Sequence, residues 1–196
     1  EGYFDALFPA RRSIGPLVAV TKATLSEEQL KSLTDLGVNQ VTICFDADDA
    51  GKRGTQGAVE LCTRMQVTNF VTDLRGCNAK DPAEFVAKFG AIELEDKFHE
   101  AQLGTDWLAH SYIKDYDLSN AIEREDLAKR ALEFSAKNLT RNSREKGSFM
   151  KIIAAALDTT VNALYDEERK YLAPGLASGV TRGLQQPSGL TDFLHF

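Results

Sequence analysis

The sequence predicts an α/β protein, a doubly wound and mainly parallel sheet followed by a small all-α helical bundle, and three observations carry that reading. Short apolar runs alternate with helix-patterned stretches as far as Gly90. Beyond Ala91 the strand signals stop and only helical periodicity remains. Three acids and a glycine, Asp46, Asp48, Asp49 and Gly51, follow the clearest apolar run, at the point where open α/β sheets place their ligands.

In chain order, Glu1 to Phe8 opens on an acid and a glycine and puts Tyr3 or Phe4, Leu7 and Phe8 at helical spacing. Glu1 and Asp5 are four residues apart and face the same way across the first turn, where two acids serve either the helix dipole or a site. Leu17 to Val20 is a short strand reached through Gly15-Pro16. Ser26 and Gln29 fit the S-x-x-Q capping box, so a helix runs from there to about Asp35, with Leu30 and Leu33 beginning its buried face and Gly37 stopping it.

Gln40 to Phe45, rich in β-branched and aromatic residues, has the length of a strand. Lys52 to Met65 is a helix, apolar at Ala58, Leu61, Cys62 and Met65. Asn69 to Leu74 is the next strand, followed by a loop from Arg75 that ends in a strong helix start. There Asp81 is the N-cap and Pro82 the first helical residue, and the helix runs from Ala83 to about Lys88, closed by Gly90.

Ile92 to Gln102, Trp107 to Tyr116 and Ile122 to Leu139 all read as helices. Phe149, Ile152, Ile153, Ala156 and Leu157 keep helical spacing, and Val161, Leu164, Tyr171 and Leu172 continue it. From Ala173 the composition turns to Gly, Pro, Ser and Gln, which reads as a linker or the start of a further domain. The expected organisation is a metal-binding domain over 1–100, a helical subdomain over 101–172 and the linker over 173–196.

Of 196 residues, 43% are hydrophobic and 27% charged, as in a soluble globular protein. No apolar run approaches the roughly 20 residues of a membrane span, and no signal-peptide pattern opens the chain, so the expected location is cytoplasmic. Cys44, Cys62 and Cys77 lack metal-ligand spacing and His99, His110 and His195 are far apart, which argues against a zinc site or a disulfide framework. A net charge of −6 argues against a strong nucleic-acid grip by this segment alone. Opening at Glu1 without methionine, the sequence reads as a piece of something longer.

The acids carry the chemistry. Carboxylates two apart, as Asp46 and Asp48 are, can point to one side and seat a hard divalent cation such as Mg2+ or Mn2+; equally, such residues are ordinary loop and N-cap residues. A parallel sheet gathers Glu1, Asp5, Asp46, Asp48, Asp49 and Asp81 towards one edge, with Lys52, Arg53, Arg75 and Lys80 in the same loops. Such a set suits metal-assisted chemistry on a phosphate, the cations balancing substrate charge.

Four segments, EGYFD at Glu1 to Asp5, VAVTKATLSEEQ at Val18 to Gln29, CFDADDAG at Cys44 to Gly51 and KDPAEFVAKFG at Lys80 to Gly90, together resemble the Toprim domain, and within it the bacterial-type replicative DNA primases. The resemblance covers Glu1 to about Glu100, and the helices beyond Ala91 resemble the bundle that follows that fold. It implies a general acid or base at Glu1, metal ligation by Asp46 and Asp48 together with Glu1, Asp5 and Asp81, and Mg2+ or Mn2+ as cofactor. It implies synthesis of short RNA primers on a single-stranded DNA template from nucleoside triphosphates, with a replicative helicase as a further partner. A zinc-binding module and a basic subdomain would precede Glu1.

Two positions depart from the family pattern. Lys22-Ala23 stands where a Gly-Thr pair is usual, so that Lys22 either holds a phosphate or caps its loop, and Ala83 stands where a second acid is usual, which puts one metal position in doubt. Lys52, Arg53, Lys22 and Lys80 are the expected phosphate contacts. Two rivals use the same residues: a Toprim-type nuclease, since the same metals serve hydrolysis, and a non-catalytic replisome module with a vestigial acid cluster. A topoisomerase would need a tyrosine nucleophile in a separate domain, and no tyrosine here sits in a recognisable motif.

Overall fold

The computed structural model describes residues 2–11, 15–22, 24–141 and 143–176. Helices α1 (Tyr3–Ala10) and α2 (Glu27–Asp35) precede strand β1 (Gln40–Ile43), helix α3 (Asp49–Arg64) and strand β2 (Thr68–Val71). Helices α4 (Pro82–Phe89) and α5 (Ala91–His99) lead to a short strand, β3 (Gln102–Leu103). The helical half is α6 (Gly104–Lys114), α7 (Ala121–Asn138), α8 (Arg144–Ala156) and α9 (Val161–Leu176).

β1 and β2 are parallel, Gln40 facing Thr68 and Ile43 facing Val71, with α3 as the crossover. β3 pairs antiparallel with β2, Phe70 opposite Leu103, giving the order β1-β2-β3 among the described residues. The strand expected at Gln40 to Phe45 therefore forms, and its last residues turn out of the ladder towards the acids.

Local chemistry sets most boundaries as the sequence implies. Ser26 Oγ accepts from the Gln29 amide at 3.2 Å and Gln29 Oε1 from the Ser26 amide at 2.9 Å, a complete capping box. Gly37 at φ +88° and Gly90 at φ +106° end α2 and α4 in backbone conformations that favour glycine.

Three expectations are corrected. Leu17 to Val20 is not a strand: it finds no ladder partner among the described residues, and the Val20 carbonyl is taken instead by Gln29 Nε2 at 2.8 Å. The helix expected to reach Gln102 ends at His99, because Gln102 and Leu103 join β2. Gly104 permits that pairing, since an added Cβ there would overlap Asn69 Oδ1. The helix α9 runs through Leu176, so Ala173 to Leu176 extend a helix rather than start a linker, and 177–196 lie outside the described residues.

One buried cluster runs from Leu30, Ile43, Val59 and Val71 through Trp107, Leu108 and Tyr112 to Phe149, Ile153 and Leu164. Sheet and helical half thus share a core. A smaller cluster, Leu74, Ala79, Phe85, Val86 and Leu94, lies beneath the acid loops, with Cys44 and Ala47 packed on it. On α1 the helix forms as its spacing implies, but Tyr3, Phe4 and Leu7 are all more than half exposed, whereas Pro9 is buried. No helix among the described residues is long and apolar enough to cross a membrane.

Candidate functional site

Asp46 and Asp48 stand just past the C-terminal end of β1, at the start of α3. Asp48 is the N-cap of that helix: its Oδ1 accepts from the Gly51 amide at 2.7 Å, and its carbonyl accepts from the Lys52 amide at 2.9 Å. The plainer of the two sequence readings of Asp48 is thereby realised. It does not exhaust the group, because an ionised carboxylate offers about four lone-pair sites and Asp48 is exposed.

Gly51 shows how tightly this turn is built. A Cβ there would overlap the Asp46 carbonyl oxygen, so the first turn of α3 lies directly on the Asp46 backbone. The D-A-D-D-A-G spacing places a helix start against a strand end with no room for a side chain between them.

A second loop is tied to the first. The Ala47 amide donates to the Lys80 carbonyl at 2.7 Å, which sets Asp81 beside the Asp46 to Asp48 turn. Asp81 caps α4, its Oδ1 accepting from the Glu84 amide at 2.6 Å, while Glu84 Oε2 accepts from the Lys80 amide at 2.7 Å. Lys80 Nζ lies 3.6 Å from Asp81 Oδ2. Ala83 occupies the first turn of α4 and brings no carboxylate.

Asp5 accepts from the Gly2 amide at 2.7 Å through Oδ2, on α1, which packs against α4. Cys44 packs on the apolar cluster beneath these loops. Burial pushes its thiol up to about 12, and the Asp5, Asp73 and Asp46 carboxylates are near enough to add to the rise. Glu1, assigned by resemblance as acid or base, lies outside the described residues, as does Ala23.

The basic residues divide into two groups. Lys52 and Lys80 are ion-paired, with Asp115 of the helical half and with Asp81, whereas Arg53 and Lys22 are exposed. Lys22 makes no described contact with the acid loops. Arg75 forks onto Asp73, Nε donating to Oδ1 at 2.9 Å, and lies 5.6 Å from the Trp107 ring centre; Trp107 Nε1 donates to Asp73 Oδ2 at 3.2 Å. Burial would raise the Asp73 carboxyl, but these hydrogen bonds outweigh it and hold the group below the usual carboxylate range.

Sequence reasoning missed Asp73, Trp107 and Asp115. Asp73 carried a signal: like Asp46, it is an acid ending an apolar run, but the strand reading of Asn69 to Leu74 absorbs it. Asp115 carried none, being one of several acids around the end of an amphipathic helix.

Among the described residues no three His, Cys, Asp or Glu side chains are arranged to hold an ion as they stand. The chemistry of the donors nevertheless fits a hard divalent cation, since Asp46, Asp48, Asp81 and Asp5 offer only carboxylate oxygen. A cavity of about 630 Å3 along β1 is lined by Asp5, Leu17, Val18, Val41, Phe45 and Phe98. Asp46, Asp48 and Asp81 are not in its lining.

The family model described as Toprim-like matches residues 1–86, the stretch that carries both acid loops. Over these residues the chain is similar to the Toprim-like family. The chain as a whole is similar to the DNA primase of Treponema pallidum, 24% identical over 187 residues, which is 92% of this chain and 29% of that protein. It is also similar to the DNA primase of Thermotoga maritima, 45% identical over 95 residues, covering 48% of this chain and 16% of that one. In three dimensions the Toprim-like segment and the helices after it superpose on the catalytic domain of the DnaG primase solved with single-stranded DNA, with a TM-score of 0.68 at 22% identity, over 81% of this chain and 50% of that one. The likeness confirms the α/β fold with its helical continuation. The chain spans less than a third of the length of these curated relatives.

Proposed function

We propose that the chain is the metal-binding portion of a DNA primase, taking part in template-directed synthesis of short RNA primers for replication. The observation that carries this is the Ala47 to Lys80 hydrogen bond, which sets two carboxylate-bearing loops side by side at the end of β1. Relatives that are DNA primases, and a fold neighbour solved with single-stranded DNA, support the nucleic-acid side of the reading. Nucleoside triphosphates are the substrates, single-stranded DNA the template and a replicative helicase the partner; the setting is cytoplasmic.

Asp46 and Asp48 would hold Mg2+ or Mn2+, with Asp81, Asp5 and Glu1 completing the set from the neighbouring loops. Such an ion supplies charge neutralisation at the attacking and leaving oxygens. Arg53 and Lys22 are the exposed cations available to a triphosphate, with Lys80 beside Asp81, while the Lys52 charge is engaged by Asp115. On this reading 1–100 carry the donors, and 101–172 brace them.

The test is ribonucleotide incorporation on single-stranded DNA by the full-length parent. Asp46→Asn and Asp48→Asn should each remove most incorporation, since the amide keeps the size and loses the charge. Asp49→Asn should stay within a few-fold of the parent. Near-parental activity in all three would overturn the reading, and metal-dependent cleavage without incorporation would favour a nuclease.

A further inference from the structure

The first turn of α3 is held from three sides. Asp48 caps it through the Gly51 amide, Gly51 presses on the Asp46 backbone, and Lys52, one residue on, reaches across to the helical half. There Asp115, at the end of α6, receives three donors: the Lys52 ammonium, Gln56 Nε2 at 3.2 Å and Arg130 Nη1 at 3.4 Å.

The surroundings make this a fixed joint rather than a loose surface pair. The Lys52 and Asp115 side chains are 18% and 28% exposed. Gln56, buried in the next turn of α3, also donates to Ser111 Oγ of α6 at 3.1 Å. Arg130 of α7 lies over the Tyr112 ring at 3.9 Å, and Tyr112 donates to Glu60 of α3 at 2.6 Å. Three helices therefore meet at Asp115, and α3, which carries the acid turn, is tied there by its fourth residue.

From this geometry we infer that Asp115 is a positioning residue for the Asp46 and Asp48 metal seat, acting through Lys52 on the first turn of α3. The inference rests on the metal reading above and adds a residue from the helical half to it. Losing either partner frees the turn that fixes the direction of both aspartates.

Electrostatics alone makes an opposite demand, which gives the test its edge. A positive charge near a cation site weakens binding, so removing Lys52 should tighten Mn2+, and removing Asp115 should loosen it. A positioning pair requires that both losses weaken Mn2+ and that the double variant be no worse than either single.

The probe is Mn2+ alone, titrated into the chain and followed by the electron paramagnetic resonance of the free ion, with thermal melts on every variant. Lys52→Met, Asp115→Asn and the double should each weaken Mn2+ by on the order of tenfold, the usual size for residues that orient ligands. Asp115→Glu, which keeps the charge, should recover most of the affinity, and Lys52→Met alone carries the loss arm if Asp115→Asn fails to fold. Tighter binding by Lys52→Met, or additive losses in the double, overturns the positioning role. If the unmodified chain and Asp46→Asn bind Mn2+ equally poorly, the metal reading itself falls and the inference with it. If only Asp46→Asn loses the ion, the metal reading stands and the inference alone is wrong.

Discussion

The helical half and the acid edge of this molecule are held by different physics. In the helical half Tyr112, Phe134 and Phe149 pack with ring centres 5.2 to 6.4 Å apart, and the buried charges are matched, Lys146 Nζ lying 2.8 Å from Glu168 Oε2. At the acid edge only the smaller apolar cluster of Leu74, Phe85, Val86 and Leu94 lies beneath the loops. Backbone hydrogen bonds, two N-caps and one glycine contact fix loops in which Asp48 is exposed and Asp46 and Asp81 are part-buried. A substitution deep in the packed half should therefore disturb stability far more than site geometry.

The largest effect belongs to the packed half. Phe149 is fully buried between Tyr112 and Phe134, so Phe149→Ala should cost about 3–5 kcal/mol, read from chemical denaturation. Its Mn2+ affinity, measured well below the lowered melting point, should stay within a few-fold. A large loss of affinity would show that the two regions are not separable.

Next in size is Gly51→Ala. The new methyl must displace the Asp46 carbonyl, which should cost about 1–3 kcal/mol as overpacking does and should abolish tight Mn2+ binding. An unchanged affinity would mean that the Asp46 turn is not the seat.

Acidification should act at the joint between the two regions. Burial alone would raise the Asp73 and Asp115 carboxyls, but donors from Arg75 and Trp107, and from Lys52 and Gln56, hold both below their ordinary values. A depressed folded-state value contributes stability above the unfolded value, near 4, that is lost as pH falls through the folded one. The melting temperature should therefore drop on going below about pH 4, and by less in Asp73→Asn. An equal drop in that variant would remove Asp73 from the account.

The same contrast governs what could be read from the sequence. Helices α2, α3 and α4 were legible because capping residues and apolar spacing act locally, as at Ser26, Asp81 and Leu30. Leu17 to Val20 misled because strand character depends on a partner elsewhere in the chain, and β3 went unseen because two residues carry no period. The Asp46, Asp48 and Asp81 loops were legible as motifs. Their mutual contact through Ala47 and Lys80 was not, since a backbone hydrogen bond leaves no mark on residue identity; nor was Asp115, whose role arises from three helices meeting.

The central claim is that Asp48 both caps α3 and seats a metal, and one comparison tests it most directly. Thermal stability and Mn2+ affinity are measured on Asp48→Asn. Asparagine caps a helix about as well as aspartate, so the stability should change by only a few tenths of a kcal/mol. The affinity should fall at least tenfold, because the amide has lost the charge that holds the ion. Unchanged affinity alongside unchanged stability would contradict the account and leave Asp48 a cap alone.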